Sequence, residues 1–140
     1  MTKKKVLSIF VSIAMLVVLA GNAFAAPRWS NTDDVLVALA FNGSTAVCSV
    51  DITGKEGTSR IVATVELQVK NSNGNYVRSA SWSTRTVYSK TFSFFEYAYN
   101  RSAGDYRLVV DATVYNANGV GEDIYVYFDR TYNGSTSTTG

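Results

Sequence analysis

The stretch Asp105–Tyr115, DYRLVVDATVY, decides how the chain is read. Side chains alternate across an extended strand, so Tyr106, Leu108, Val110, Ala112 and Val114 share one side while Arg107, Asp111, Thr113 and Tyr115 share the other. An unbroken apolar side beside a mixed polar side predicts a central strand of a two-layer β protein. The segment upstream repeats the pattern. Ile61, Ala63, Val65, Leu67 and Val69 alternate with Val62, Thr64, Glu66, Gln68 and Lys70, a strand buried on one face only. Each large side chain on that face contributes about 1.5–3 kcal/mol when buried.

Working outward, turn residues separate further strands. Val35, Val37, Leu39 and Phe41 alternate with Leu36, Ala38 and Ala40, which are also apolar, so this strand is expected to be covered on both faces. Asn42-Gly43-Ser44 turns it back into Ala46–Ile52, a hairpin. Asn71-Ser72-Asn73-Gly74-Asn75 is the strongest hairpin turn, its Asn-Gly suited to two consecutive positive φ values. After it, Tyr76–Trp82 is expected to pair back, with Ala80 and Trp82 inward. Between Val87 and Tyr99 the aromatic residues lose their period at Phe94-Phe95, which predicts a bulge or a strand that switches sheets. The last strand places Ile124, Val126 and Phe128 inward and Tyr125 and Tyr127 outward. About seven short strands, with no convincing amphipathic helix, define an all-β antiparallel sandwich.

Lys3-Lys4-Lys5, an apolar run from Val6 to Leu19 and Ala23-Phe24-Ala25 read as a secretory signal peptide ending at Ala25. An apolar run of about 14 residues is short of the roughly 20 needed to span a bilayer. The chain thus divides into a signal peptide over 1–25, a lead-in over 26–33, a sandwich domain over 34–132 and a flexible polar tail over 133–140. The expected product is secreted and extracellular, with no membrane insertion of the mature chain. Three of the 13 Lys and Arg residues lie in the leader but none of the 11 Asp and Glu residues, so the formal net charge of +2 becomes −1 after processing. That balance removes the electrostatic case for a nucleic-acid partner.

The segment Ala103-Gly104-Asp105-Tyr106-Arg107-Leu108 resembles the strand F entry of immunoglobulin-like and fibronectin-like domains. The resemblance implies a tyrosine corner, in which the Tyr106 hydroxyl bonds to backbone upstream. It also places the inter-sheet cysteines of antibody domains at Leu108 and near Cys48; Leu108 is not Cys, so that bridge is absent. Trp82 falls on the fourth strand counted, which differs from the strand C tryptophan of the pattern. The Arg28-Trp29-Ser30-Asn31 lead-in, Ala46-Val47-Cys48-Ser49, Gly54 and Gly57, and the tyrosine-rich final hairpin are similar to small secreted proteins of unknown function from Gram-positive bacteria. That resemblance implies an export route and an immunoglobulin-like sandwich, and no activity.

The chain contains no histidine, which removes the usual general base and the commonest transition-metal ligand. Cys48, the single cysteine, shares an apolar strand face with Ala46, Val50 and Ile52 and is expected to be buried and inert. Asp33-Asp34 and Glu122-Asp123 are adjacent pairs whose side chains diverge in extended segments, so neither a catalytic pair nor a calcium loop is predicted. No catalytic residue, cofactor or metal site is assigned. The notable excess is aromatic, with nine tyrosines. Tyr115, Tyr125 and Tyr127 on the outer face of the last two strands are the candidate ligand-binding residues, and cross-strand pairing that stabilises the sheet is the alternative. The expected function is a non-enzymatic binding or surface-interaction module for a protein or carbohydrate partner at the cell surface. The alternatives are a self-associating extracellular structural protein and a secreted effector or toxin-like protein.

Overall fold

A computed structural model describes residues 29–134. They form β1 (Thr32–Asn42), β2 (Thr45–Gly54), β3 (Arg60–Lys70), β4 (Tyr76–Ser81), β5 (Arg85–Val87), β6 (Thr91–Ala98), β7 (Gly104–Tyr115) and β8 (Gly121–Tyr132). The expected signal peptide, the first three residues of the lead-in and the end of the polar tail lie outside the described residues. The strands make two antiparallel sheets. Sheet A has the order β1-β2-β6; sheet B has the order β4-β3-β7-β8, with β5 also paired to β3. β1 packs against β8 where the two sheets meet along one side.

β7 lies between β3 and β8, as its alternation predicts. Tyr106, Leu108, Val110, Ala112 and Val114 are all buried. Ile61, Ala63, Val65 and Leu67 of β3 join them, in register with Val114, Ala112, Val110 and Leu108. Sheet A closes the core with Val35, Val37, Leu39, Cys48, Val50, Ile52, Phe92 and Phe94. The β1–β2 hairpin forms around Gly43, which takes a φ of 59°. β1 is covered on both faces, because Ala38 and Ala40 are buried with Val47 on the far side from the core.

The described residues form eight strands where about seven were expected. The strand facing β3 is broken: β4 pairs with Glu66–Lys70 and β5 with Ile61–Ala63, and Trp82–Thr84 bridges the gap. The break lets Trp82 turn inward, edge-on to Phe94 with ring centroids 5.1 Å apart. No bulge occurs at Phe94-Phe95, since the β2–β6 register runs from Ile52↔Phe92 through Val50↔Phe94 and Ser49↔Phe95 without a shift. The aromatic residues lose their apparent period because β6 carries them on both faces. The chain does switch sheets, between β5 in sheet B and β6 in sheet A.

Two turns share one design. Asn71 accepts from the Asn73 and Asn75 amides through Oδ1, both at 3.0 Å, and Gly74 donates to the Asn71 carbonyl at 3.0 Å. Asn116 does the same for Asn118 and Val120, at 2.9 and 3.0 Å, and Gly119 donates to its carbonyl. Only the glycine takes positive φ in each, 83° at Gly74 and 78° at Gly119. The pair of positive φ values expected for Asn73-Gly74 is absent because the first Asn side chain caps the turn from inside, leaving the second Asn an ordinary backbone conformation.

Candidate functional site

The predicted tyrosines stand on the outer face of sheet B, and most are occupied by the protein's own charges. Arg60 lies over the Tyr115 ring at 3.9 Å. Arg107 lies over Tyr127 at 3.9 Å and over Tyr76 at 4.0 Å, so its guanidinium is held between two rings. It also donates twice to Asp129, through Nε at 2.7 Å and Nη2 at 3.0 Å. The Asp129 carboxylate holds the Arg107 proton more tightly than usual, against the opposing effect of burial. Tyr125 stays 61% exposed, its ring 6.3 Å from that of Tyr127. This face reads mainly as a cross-strand network: cations stacked on aromatic rings contribute about 0.5–1 kcal/mol each at exposed positions.

Sheet A carries an outward aromatic row that the sequence reading did not single out. Phe95 and Tyr97 of β6 and Tyr99 just beyond it point away from the core at every second residue. Their ring centroids are 5.4 Å apart for Phe95–Tyr97 and 5.9 Å for Tyr97–Tyr99. Phe95 is 44% exposed and Tyr99 62%. Tyr97 packs against the buried trio Ala38, Ala40 and Val47, so the middle of the row rests on an apolar floor from β1 and β2. The signal was present in the sequence as the two-sided apolarity of Val35–Phe41 and the spacing of 95, 97 and 99. The apparent loss of period at Phe94-Phe95 obscured it.

The residues read as structural are placed so. Tyr106 is buried, and its hydroxyl donates to the Ser102 carbonyl at 2.6 Å, the upstream bond implied by the tyrosine-corner resemblance. Burial raises its pKa despite the nearby Arg101. Leu108 and Cys48 are fully buried in the shared core. Burial pushes the Cys48 thiol up to about 12, with Arg101 opposing and Glu96 adding to the shift, so little thiolate exists at neutral pH. Trp82 is half-buried against the same core.

Of the loop carboxylates, Glu122 has a distinct role that sequence alone did not show. It accepts from the Asn31 amide at 2.8 Å and the Thr32 hydroxyl at 3.1 Å, and from the Ser30 amide. Asn31 in turn donates through Nδ2 to the Val114 and Val120 carbonyls, at 2.9 and 3.0 Å. Burial on its own raises the Glu122 pKa, but the amides of Asn31 and Ser30 and the Thr32 hydroxyl outweigh it and hold the group below the usual range. Strand β1 therefore starts at Thr32, two residues before the expected boundary, because this clasp draws the end of the lead-in onto the domain. Asp123 accepts from the Thr113 hydroxyl at 3.0 Å. Among the described residues no group of three or more His, Cys, Asp and Glu side chains converges, and no helix is long and apolar enough to cross a membrane.

No protein-family model matches the chain, and no curated protein matches its sequence. Among solved structures it is similar to wild-type OgpA from Akkermansia muciniphila, at 15% identity and a TM-score of 0.37, over 78% of this chain and 32% of that one. Catalytically inactive OgpA from the same organism, in complex with an O-glycopeptide (glycodrosocin) substrate, gives 16% identity and a TM-score of 0.37 over 80% and 34%. The chain spans about a third of the length of the structures it matches.

Proposed function

We propose that the chain is an exported, non-enzymatic binding module of the immunoglobulin and fibronectin type, whose working surface is the outer face of sheet A. The strand order β1-β2-β6 against β4-β3-β7-β8, with the Tyr106–Ser102 bond at the start of β7, supports that fold type. The observation that carries the functional reading is the row Phe95, Tyr97 and Tyr99, its two ends exposed and its middle ring packed on Ala38, Ala40 and Val47. Exposed aromatic side chains around an apolar centre supply the rigid anchors that dominate protein interfaces.

Ring orientation favours a protein over a polysaccharide as the partner. A flat sugar chain needs coplanar rings to stack on, whereas Phe95 and Tyr97 meet at 89° and Tyr97 and Tyr99 at 36°. Such a surface accepts side chains into the angles between rings. The test is saturable binding of the purified protein to intact cells, compared with cells stripped of surface protein by protease. Binding that disappears with stripping and in Phe95→Ser/Tyr99→Ser, but persists in Tyr125→Ala/Tyr127→Ala, supports the reading. Binding unaffected by Phe95→Ser/Tyr99→Ser overturns it. Mass that grows with concentration in sedimentation, without cell binding, moves the assignment to self-association.

A further inference from the structure

We infer that the depression at the tyrosine-corner end of the sandwich is a second site, built to hold the carboxylate of a single acidic sugar residue. It measures about 320 Å³ and is lined by Val69, Ser79, Asn100, Arg101, Ser102 and Ala103, with Tyr106. That volume is at the small end for ligand pockets and suits one ring or less.

Arg101 is held in place by neutral groups among the described residues. Its Nε donates to the Tyr99 carbonyl at 2.9 Å, and its Nη1 donates to the Ser79 carbonyl at 2.8 Å and the Ser79 hydroxyl at 2.9 Å. Its own amide donates to the Ser44 carbonyl at 2.8 Å, which ties the loop to the β1–β2 turn. These bonds set the guanidinium in one orientation. Nη2 donates to no described residue, and among the described residues no carboxylate pairs with Arg101, whereas Arg78, Arg85, Lys90 and Arg107 each have one. A preorganised guanidinium lacking a counter-ion favours an incoming anion, and its planar donors match a carboxylate.

The rest of the lining narrows the ligand. Arg101 is the only charged group among the lining residues, so one negative charge is matched and a doubly charged phosphate is not. The Ser79 and Ser102 hydroxyls and the Asn100 amide offer both donors and acceptors, which fits a ring bearing hydroxyl groups. Val69 supplies the apolar part of the lining. A uronic-acid type of sugar has this combination of one carboxylate, several hydroxyls and an apolar ring face. The inference does not depend on the sheet A surface being the working face.

The test is a titration of the isotopically labelled protein, produced from the full chain, followed by amide chemical shifts. The probes are glucuronate, methyl glucoside as the uncharged ring, and N-acetylglycine as a carboxylate without the ring. Glucuronate is expected to move the amides of Ser79 and Asn100 to Ala103 saturably, with a midpoint on the order of millimolar and at least about tenfold tighter than either control. Arg101→Gln should abolish the effect. Because Arg101 also braces the loop, Ser102→Phe serves as the second variant: the Ser102 side chain is exposed, only its carbonyl holds Tyr106, and a ring there fills the depression. Loss of binding in Ser102→Phe with an unchanged melting temperature supports the site. Equal binding of N-acetylglycine or methyl glucoside, no shift at these amides, or unaltered binding in Ser102→Phe overturns it.

Discussion

The two outer faces of the sandwich carry similar numbers of aromatic side chains and use them differently. On sheet B, Tyr76, Tyr115 and Tyr127 are stacked on Arg107 and Arg60, and Asp129 neutralises Arg107. On sheet A, Phe95, Tyr97 and Tyr99 meet ring to ring, with Tyr97 packed on small apolar residues and Phe95 and Tyr99 exposed on either side of it. The first arrangement satisfies itself within the sheet, while the second leaves apolar surface facing outward. Outward tyrosines alone therefore do not mark a binding surface; what their cross-strand neighbours supply decides it.

The comparison can be tested by substitution, beginning with the core that both faces share. Val65→Asp buries an uncompensated carboxylate opposite Val110 and should cost more than about 4 kcal/mol, enough to prevent folding. Far-ultraviolet circular dichroism of the soluble fraction checks it, and a soluble variant with wild-type melting would show that the face is wrongly assigned. Tyr106→Phe keeps the ring but leaves the Ser102 carbonyl without its donor, for a loss of about 1–3 kcal/mol in denaturant unfolding. Arg107→Ala separates the two faces: it removes two ring contacts and the Asp129 pair, and should destabilise by about 1–2 kcal/mol. Phe95→Ser/Tyr99→Ser, by contrast, should change stability by no more than about 0.5 kcal/mol while removing partner binding. If Arg107→Ala and the sheet A double variant cost the same stability, the distinction between the faces fails.

The smallest global effect is expected at the Glu122 clasp, and it depends on pH. The folded-state pKa of Glu122 is depressed, so its contribution is fully present above the unfolded value of about 4.3 and is lost as pH falls through the lower folded value. Hydrogen exchange at the Ser30 and Asn31 amides should accelerate relative to core amides such as Val110 as pH falls below about 4, once the intrinsic pH dependence of exchange is divided out. In Glu122→Gln that acid-dependent loosening should vanish.

Much of the fold was legible because alternation is local. The faces of β3 and β7, the β1–β2 hairpin and the inward positions of Ala80, Trp82 and Cys48 follow from period two and turn residues, and the structure places them accordingly. The misreadings came where local pattern was ambiguous. Phe94-Phe95 looked like a slip because aromatic residues on both faces of a strand mimic a change of period. The interruption between β4 and β5 was invisible, since Trp82–Thr84 contains no glycine or proline to announce it.

The sequence by itself determined which side chains point inward and where the chain turns, because both depend on a residue and its near neighbours. Only the tertiary structure decided which outward aromatic residues are covered, since that depends on register between strands distant in the chain. Arg107 reaches Tyr76 and Tyr127 because β7 lies within the sheet containing both of their strands, and Glu122 meets Asn31 across 91 positions because β1 folds against β8. Strand order is set by the total burial of the two sheets together, a quantity that no single stretch of sequence contains.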